Sequence, residues 1–405
     1  MGALCAVALV LATRGDSVKV LHVIPSVAPR YGGPSRAVVE MCRALLGGGV
    51  ETLIATTDAD GDGRLGVELG RPVLYEGMPT IFFPRQWSEA YKYSHPLSRW
   101  VDTHVEDFDA VHIHAVFSHA CLTTAKACRR HKVPYVVRPL GTLDPWSMRQ
   151  KRFRKMLFWH LGVRRMLDDA AAIHYTAMPE QKLAEESLAL KHGVVIPLGV
   201  QMDSFDKTEN TECLSVGDMP LCRNPYVLML SRLHRKKGVE LLLPAFLSLV
   251  GRPEFADWKL VLAGDGEPEY VSSLHRLVHS HGGEGSVVFA GWVEGPRKTA
   301  MLQRAALLAL PSYQENFGLC VVEALACGVP VLISPHVNLA SEIEAAGAGW
   351  VTPSDTEALE RTLAETFGDP QARTRRGAIG RELVSRRFTW DAVSQQLSAL
   401  YNSIT

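Results

Sequence analysis

Short runs rich in β-branched residues alternate along the chain with longer stretches whose apolar positions recur every three or four residues. The alternation opens with VKVLHVIPS (18–26), RAVVEMCRALLGGG (36–49) and VETLIATT (50–57), which predicts a strand–helix–strand start. AVHIHA (110–115), PYVVRPL (134–140), AAIHYTA (171–177) and GVVIPLG (193–199) read as further strands, and together they predict one doubly wound parallel sheet in the first half. The pattern stops at QMDSFDKTENTECLSVGDMPLCRN (201–224), which is polar and turn-rich, as a linker would be. A second series follows in YVLML (226–230), WKLVLAG (258–264), SVVFAG (286–291), ALLALP (306–311) and PVLIS (330–334). The expectation is an α/β chain of two similar-sized doubly wound domains, 1–205 and 218–387, with a cleft between them. Ligands of such sheets sit beyond the carboxyl ends of the strands, so the loops there are where chemistry is to be sought.

Composition narrows the classes. A chain of 405 residues with 47% apolar and 21% charged positions is an ordinary globular protein. Lys plus Arg equals Asp plus Glu at 43 each, so no global field favours nucleic acid, and any attraction to an anion must come from local patches. The eight cysteines form no C-x-x-C pair, which argues for a reducing compartment and against a zinc or thioredoxin-type site. ALCAVALVLA (3–12) is too short to span a bilayer and lacks the basic flank of a secretory signal; an upstream mis-start and a short first helix both fit it.

The stretch PSYQENFGLCVVEALACGVPV (311–331) places Glu315 and Glu323 across a predicted loop-to-helix junction near Phe317 and Gly318. Unpaired N–H groups and the positive dipole end of a helix favour an anion such as a diphosphate, while carboxylates accept hydrogen bonds from vicinal diols. SRLHRKKG (231–238) presents Arg232 and Lys237 after the first strand of the second domain. A guanidinium fork and a mobile ammonium suit a pyrophosphate leaving group. Taken singly, the same residues also read as helix-surface charge or a solvated face. GDGEP (264–268) lacks the third glycine of a dinucleotide fingerprint and reads as a turn.

As a set, SRLHRKKG, LVLAGDGEP, VVFAGWV, PSYQENFGLCVVEALACGVPVLIS and LASEIEAAGAGWV resemble the retaining glycosyltransferases of family 4, whose E-x7-E motif Glu315 and Glu323 would carry. YGGPSRAVVE, GTLDPWS and FTWDAVSQQLSALY extend the likeness over essentially the whole chain, towards members acting in bacterial surface-polysaccharide assembly. The resemblance implies the GT-B fold, two Rossmann-like domains facing a central cleft, with a C-terminal helix at about 388–405 returning to the first domain. It implies that Glu315 contacts the transferred sugar, with backbone groups of Asn316, Phe317, Gly318 and Leu319 around sugar and phosphates, and that Glu323 binds the ribose. Arg232 and Lys237 would stabilise charge on the β-phosphate, and the backbone from Gly291 to Val293 would read the base. Gly32 and Gly33 would face the donor phosphate and the acceptor, and His114, the second histidine of VHIHA, would border the transferred sugar, with His119 a lesser possibility.

The acceptor side carries further signals. YGGPSR (31–36) brings glycines after the first strand, where backbone can approach a ligand or simply turn. His112 and His114 share one face of a strand; a metal would need ligands that the sequence does not place, and satisfied core histidines are the competing reading. TTDADGDGR (56–64) imitates a calcium loop through Asp58, Asp60 and Asp62, but Leu69 stands where the bidentate Glu belongs, so calcium is rejected and no metal is expected. RQKRFRKMLFWHLGVRR (149–165) holds seven Arg or Lys and no acid among apolar residues, which suits an interfacial helix on anionic lipid or a surface helix packed on the first domain. The aromatic segment 85–100 reads as an acceptor loop.

The function expected is metal-independent transfer of a sugar, with retention, from a UDP- or GDP-linked donor to a glycan or lipid-linked acceptor. The nucleotide sugar is a substrate and no cofactor is implied. The expected location is the cytoplasm, with peripheral contact at the anionic inner face of the plasma membrane. An inverting enzyme would need a base, for which Asp144 is the residue to test. Alternatives are a nucleotide-sugar epimerase or hydrolase of the same fold, a non-catalytic nucleotide-binding scaffold and, more remotely, an NAD dehydrogenase.

Overall fold

A computed structural model describes residues 17–150, 152–206, 215–216, 219–220 and 223–405. The apolar segment 3–12, Lys151 and half of the expected linker lie outside the described residues. The chain divides into two compact units, one made of Met1–Gly199 with Trp390–Thr405, the other of Val200–Thr389.

In the first unit, eight strands form one sheet: β1 (Lys19–Ser26), β2 (Glu51–Thr57), β3 (Pro72–Tyr75), β4 (Met78–Phe83), β5 (Ala110–His114), β6 (Tyr135–Arg138), β7 (Ala172–Tyr175) and β8 (Gly193–Val195). Their order is β8-β7-β6-β5-β1-β2-β4-β3. All pairs are parallel except β3 with β4, an antiparallel edge absent from the expected all-parallel sheet. The hairpin turns at Glu76 and Gly77, both with positive φ, in a stretch where Pro72 and Pro79 blur the alternation that betrays a strand. Near-continuous burial of β1 and β5 fits a sheet covered on both faces. The helices His95–His104 and His119–His131 contribute to one apolar cluster, and the helix Gly33–Gly47 to the other.

The helix Trp390–Ile404 belongs to this unit although it follows the second in sequence. It packs on the helix Gly33–Gly47, and Trp390 Nε1 donates to Glu40 Oε2 at 2.9 Å.

The second unit holds β9 (Tyr226–Leu230), β10 (Lys259–Ala263), β11 (Val287–Gly291), β12 (Leu307–Leu310), β13 (Val331–Ile333) and β14 (Gly349–Val351), all parallel, in the order β11-β10-β9-β12-β13-β14. That is the doubly wound order with its switch point between β9 and β12. The predicted strands 226–230, 258–264, 286–291, 306–311 and 330–334 all appear, with β14 added.

Candidate functional site

The loops that leave β9 and β12 diverge at the switch point of the second unit. Gly238, at φ +70°, closes the β9 loop; a Cβ there would lie 2.3 Å from Pro311 O, so only glycine lets the two loops meet. Tyr313 N donates to Lys236 O at 2.8 Å and clips them together. Lys237 Nζ is thereby brought onto the Glu315 carboxylate, with 15% and 17% of the two side chains exposed. Glu315 is fixed through its backbone, with its N–H on His336 O (3.0 Å) and its C=O accepting from Asn338 N (3.1 Å). Phe317 is buried edge-on against Phe388, which roots the loop in the core. Gly318, at φ +78°, then turns the chain into the helix Leu319–Ala326, one residue beyond the expected start. The first N–H groups of that helix have no intrahelical acceptor.

Glu323, on the same helix, is buried and accepts from Lys298 Nζ at 2.6 Å. Sequence reasoning missed Lys298, which stands on the helix Gly295–Arg304 just beyond β11. Its place after a strand's carboxyl end was the available signal. Arg232 is exposed, with no side-chain partner among the described residues. Asn316 and Leu319 are half-buried, and Val293 is buried beside an exposed Trp292. Gly264 fits the β10 loop under that of β9, because a Cβ would come within 1.9 Å of Ser231 O, and its N–H donates to Gly291 O at 2.7 Å. The site thus combines three cations, Arg232, Lys237 and Lys298, with two carboxylates paired to the lysines and a helix N-terminus. Burial pushes the nearby Cys320 thiol up to about 12, so it is no nucleophile at neutral pH.

In the first unit the switch point falls between β1 and β5, and Gly32, Gly33 and His114 lie there. Gly32 has φ +76° and leads into the helix Gly33–Gly47, with the Gly33 backbone exposed. Ala115, immediately after β5, has φ 102°, a strained conformation for a residue with a Cβ. Two expected roles change here. His114 is fully buried and both its ring nitrogens are engaged, by His22 Nδ1 at 3.0 Å and by Arg138 Nη1 at 3.4 Å, so its imidazole is closed to a sugar. His119 is buried too, with Nδ1 accepting from Ser94 N (3.3 Å) and Nε2 beside Ser98 Oγ (3.4 Å). Asp144 caps the helix Pro145–Arg149, its Oδ1 accepting from Ser147 N at 2.8 Å.

The histidine pair belongs to a larger buried network. Arg138 can only donate, so His114 Nδ1 accepts and its Nε2–H donates to His22 Nδ1. His174 Nε2–H donates to Ile196 O at 2.7 Å, His112 Nε2–H donates to His174 Nδ1 at 3.3 Å, and Tyr401 OH donates to His112 Nδ1 at 2.7 Å. Every ring is neutral: burial first, then the Arg138 charge, pushes the His22 and His174 imidazoles down to about 3. His22, His112 and His114 could bring three nitrogens within 4.8 Å of one another. His22 Nδ1 and His114 Nε2 are spent on each other, both His112 nitrogens on His174 and Tyr401, and His114 Nδ1 on Arg138. Only His22 Nε2 is left over, and a guanidinium beside the cluster repels a cation, so the residues do not fit a metal. The aspartate loop is held by Arg85, which donates to Gly61 O (2.7 Å), Asp62 O (3.2 Å) and Gly63 O (3.3 Å).

A lysine–glutamate pair and a helix N-terminus stand at the switch point of one Rossmann-like unit, in a chain with a second such unit, where doubly wound sheets bind their ligands. The sequence model described as "Glycosyl transferases group 1" matches residues 222–383, and that of the "Glycosyl transferase 4-like domain" matches 32–199. The chain belongs to the group 1, or family 4, glycosyltransferases and has their GT-B fold. It is 28% identical over 228 residues to the mannosylfructose-phosphate synthase of Agrobacterium fabrum (55% of this chain, 50% of that protein). It is 30% identical over 220 residues to the D-inositol 3-phosphate glycosyltransferase of Xylanimonas cellulosilytica (52% of this chain, 51% of that protein). These matches span about half the length of the curated relatives. Among solved structures, Anabaena HepE in complex with UDP-glucose superposes with a TM-score of 0.76 at 21% identity, covering 95% of this chain and 99% of that one, a likeness of fold.

Proposed function

We propose that the chain is a retaining, metal-independent hexosyltransferase that moves a sugar from a UDP- or GDP-linked donor to a glycan or lipid-linked acceptor in cell-surface polysaccharide assembly. The observation that carries this reading is the Lys237–Glu315 pair beside the N-terminus of the helix Leu319–Ala326 at the switch point. The diphosphate lies at that helix end, with Arg232 and Lys237 meeting the charge that grows on the β-phosphate as the glycosidic bond breaks. Glu315 accepts hydroxyls of the sugar and Glu323 those of the ribose, which requires Lys298 to share or release the carboxylate. The acceptor oxygen forms its bond to C1 on the face that the diphosphate leaves, and its proton passes to the departing phosphate oxygen. No protein base is needed. In the first unit, the Gly32–Gly33 turn and the backbone after β5 are the groups open to ligand, and the buried His114 acts as a positioning residue.

A lipid-linked acceptor would hold the chain at the inner face of the plasma membrane. Among the described residues no helix is long and apolar enough to cross a membrane. The test is a thermal-shift screen of nucleotide sugars followed by transfer assays on the binders. Glu315→Ala and Lys237→Ala should each abolish transfer in a folded protein, and near wild-type turnover in either would refute the assignment. Consumption of donor without any acceptor would favour the hydrolase or epimerase alternative.

A further inference from the structure

The basic segment that follows Asp144 folds as the helices Pro145–Arg149 and Arg152–Phe158, a π-helical turn Trp159–Val163 and the helix Arg164–Asp168. The sequence reads as a single helix, either interfacial on anionic lipid or packed on the first domain; Gly162, at φ 158°, breaks it. The apolar residues divide between two sides. Val163, Met166 and Leu167 are buried in the first unit's core, with Phe158 and Trp159 packed against it. Phe153, Leu157 and Leu161 recur every four residues and are 92%, 58% and 68% exposed, with Trp146 and Met156 exposed beside them. A surface helix packed on a domain accounts for the first set and leaves the second unexplained.

Charge says what covers it. Arg149, Arg152 and Arg154 are exposed and have no carboxylate partner among the described residues, whereas Arg164 and Arg165 further along pair with Asp168 and Asp169. Apolar side chains flanked by unpaired guanidinium groups match the boundary between acyl chains and anionic headgroups. The surface also connects to the acceptor side. Phe158 stacks on Tyr91 at 5.0 Å, Tyr91 meets His119 edge-on at 5.7 Å, and Tyr93 lies 4.2 Å from the same imidazole and stacks on the exposed Trp87. A continuous row of rings therefore runs from Phe158, which lies behind the outward face beside Leu157, to His119 just past the loop after β5.

We propose that the face of Trp146, Phe153, Leu157 and Leu161 docks the chain on an anionic lipid bilayer, with Arg149, Arg152 and Arg154 on the headgroups. The aromatic row then leads from the bilayer towards the saccharide of a lipid-linked acceptor. Only this last link rests on the transferase reading.

The full chain should co-sediment with phosphatidylglycerol-rich vesicles and not with phosphatidylcholine vesicles, and raised salt should release it. Arg152→Gln with Arg154→Gln should weaken vesicle binding about thirtyfold, from the loss of two charges near the surface. Phe153→Ser with Leu157→Ser should weaken it tenfold or more, and neither pair should change the affinity for UDP or GDP in calorimetry. Equal sedimentation with both lipids, or with the wild type and Phe153→Ser/Leu157→Ser chains, would overturn the proposal. So would no sedimentation at all, or a dimer in sedimentation velocity that Phe153→Ser splits, which would assign the face to a second copy. Nucleotide binding is read without vesicles, so its absence would count against the transferase reading and leave the docking surface standing.

Discussion

Replacing Lys237 by Met tests the donor site most directly, because its Nζ is at once the partner of Glu315 and the proposed cation for the diphosphate. The methionine keeps the aliphatic stem and removes the charge. A hydrogen bond to a charged group contributes about 1.5–3 kcal/mol, equivalent to about 10- to 150-fold in affinity. Because 15% of the Lys237 side chain and 17% of that of Glu315 remain exposed, screening places the expected loss in the lower part of that range, about 10- to 50-fold weaker binding of UDP or GDP. Part of the loss has a second origin: without its lysine, the Glu315 carboxylate faces the phosphates unneutralised. The double variant Lys237→Met/Glu315→Gln should therefore bind nucleotide more tightly than Lys237→Met alone, although it has lost both partners. Isothermal calorimetry on variants of unchanged melting temperature measures both. If Lys237→Met binds like the wild type, or if adding Glu315→Gln makes binding worse, the electrostatic reasoning is wrong.

Glu323→Gln should weaken nucleotide binding several-fold, with Lys298→Met producing a smaller change because the carboxylate it leaves still meets the ribose; equal losses in calorimetry would contradict the ribose role. Tyr401→Phe strands His112 Nδ1 inside the protein and should cost about 1–3 kcal/mol in urea unfolding, so a loss below about 0.5 kcal/mol would show that the bond at 2.7 Å is not formed in solution. Gly238→Ala puts a Cβ into Pro311 O at a left-handed position, and should lower stability by more than about 1 kcal/mol and weaken nucleotide binding together. His22 and His174 titrate near 3 in the fold and near 6.5 when unfolded, so the unfolded chain takes up the extra protons between those values. Stability should then fall as pH drops from about 6.5 towards 3, by about 1.4 kcal/mol per pH unit for each imidazole, with no slope from them above pH 7; urea midpoints that are flat from pH 7.5 to 5.5 would refute the network.

The alternation of apolar runs exposed both sheets because parallel strands buried on two faces are continuous and β-branched, as in KVLHVIPS and YVLML. It failed at β3, β4 and β14, where prolines interrupt the run or three residues are too few to show a period. The donor-side residues were readable because the loops at 231–238 and 311–318 are each contiguous in sequence and follow strands. His112 and His114 were visible as a pair, but what surrounds them was not. His22 arrives from the neighbouring strand in register with His112, His174 from two strands away, and Tyr401 from a helix 289 residues further along. No local pattern encodes contacts of that range, and their effect is to turn a proposed sugar contact into an enclosed support. The basic segment failed in the opposite way: composition identified the charge, and only the fold shows which apolar residues the core takes and which it leaves outside.

The placement of the helix Trp390–Ile404 has a consequence for how the protein is made. All other strands and helices of the first unit are synthesised together, yet Tyr401 and Trp390, which close the buried network and cover Gly199, emerge only after all of Val200–Thr389. Until then His112 has no hydroxyl to accept from, and the apolar flank of the helix Gly33–Gly47 stands open to water or to a chaperone. The nascent amino-terminal half must therefore wait, incompletely sealed, while its neighbour is translated.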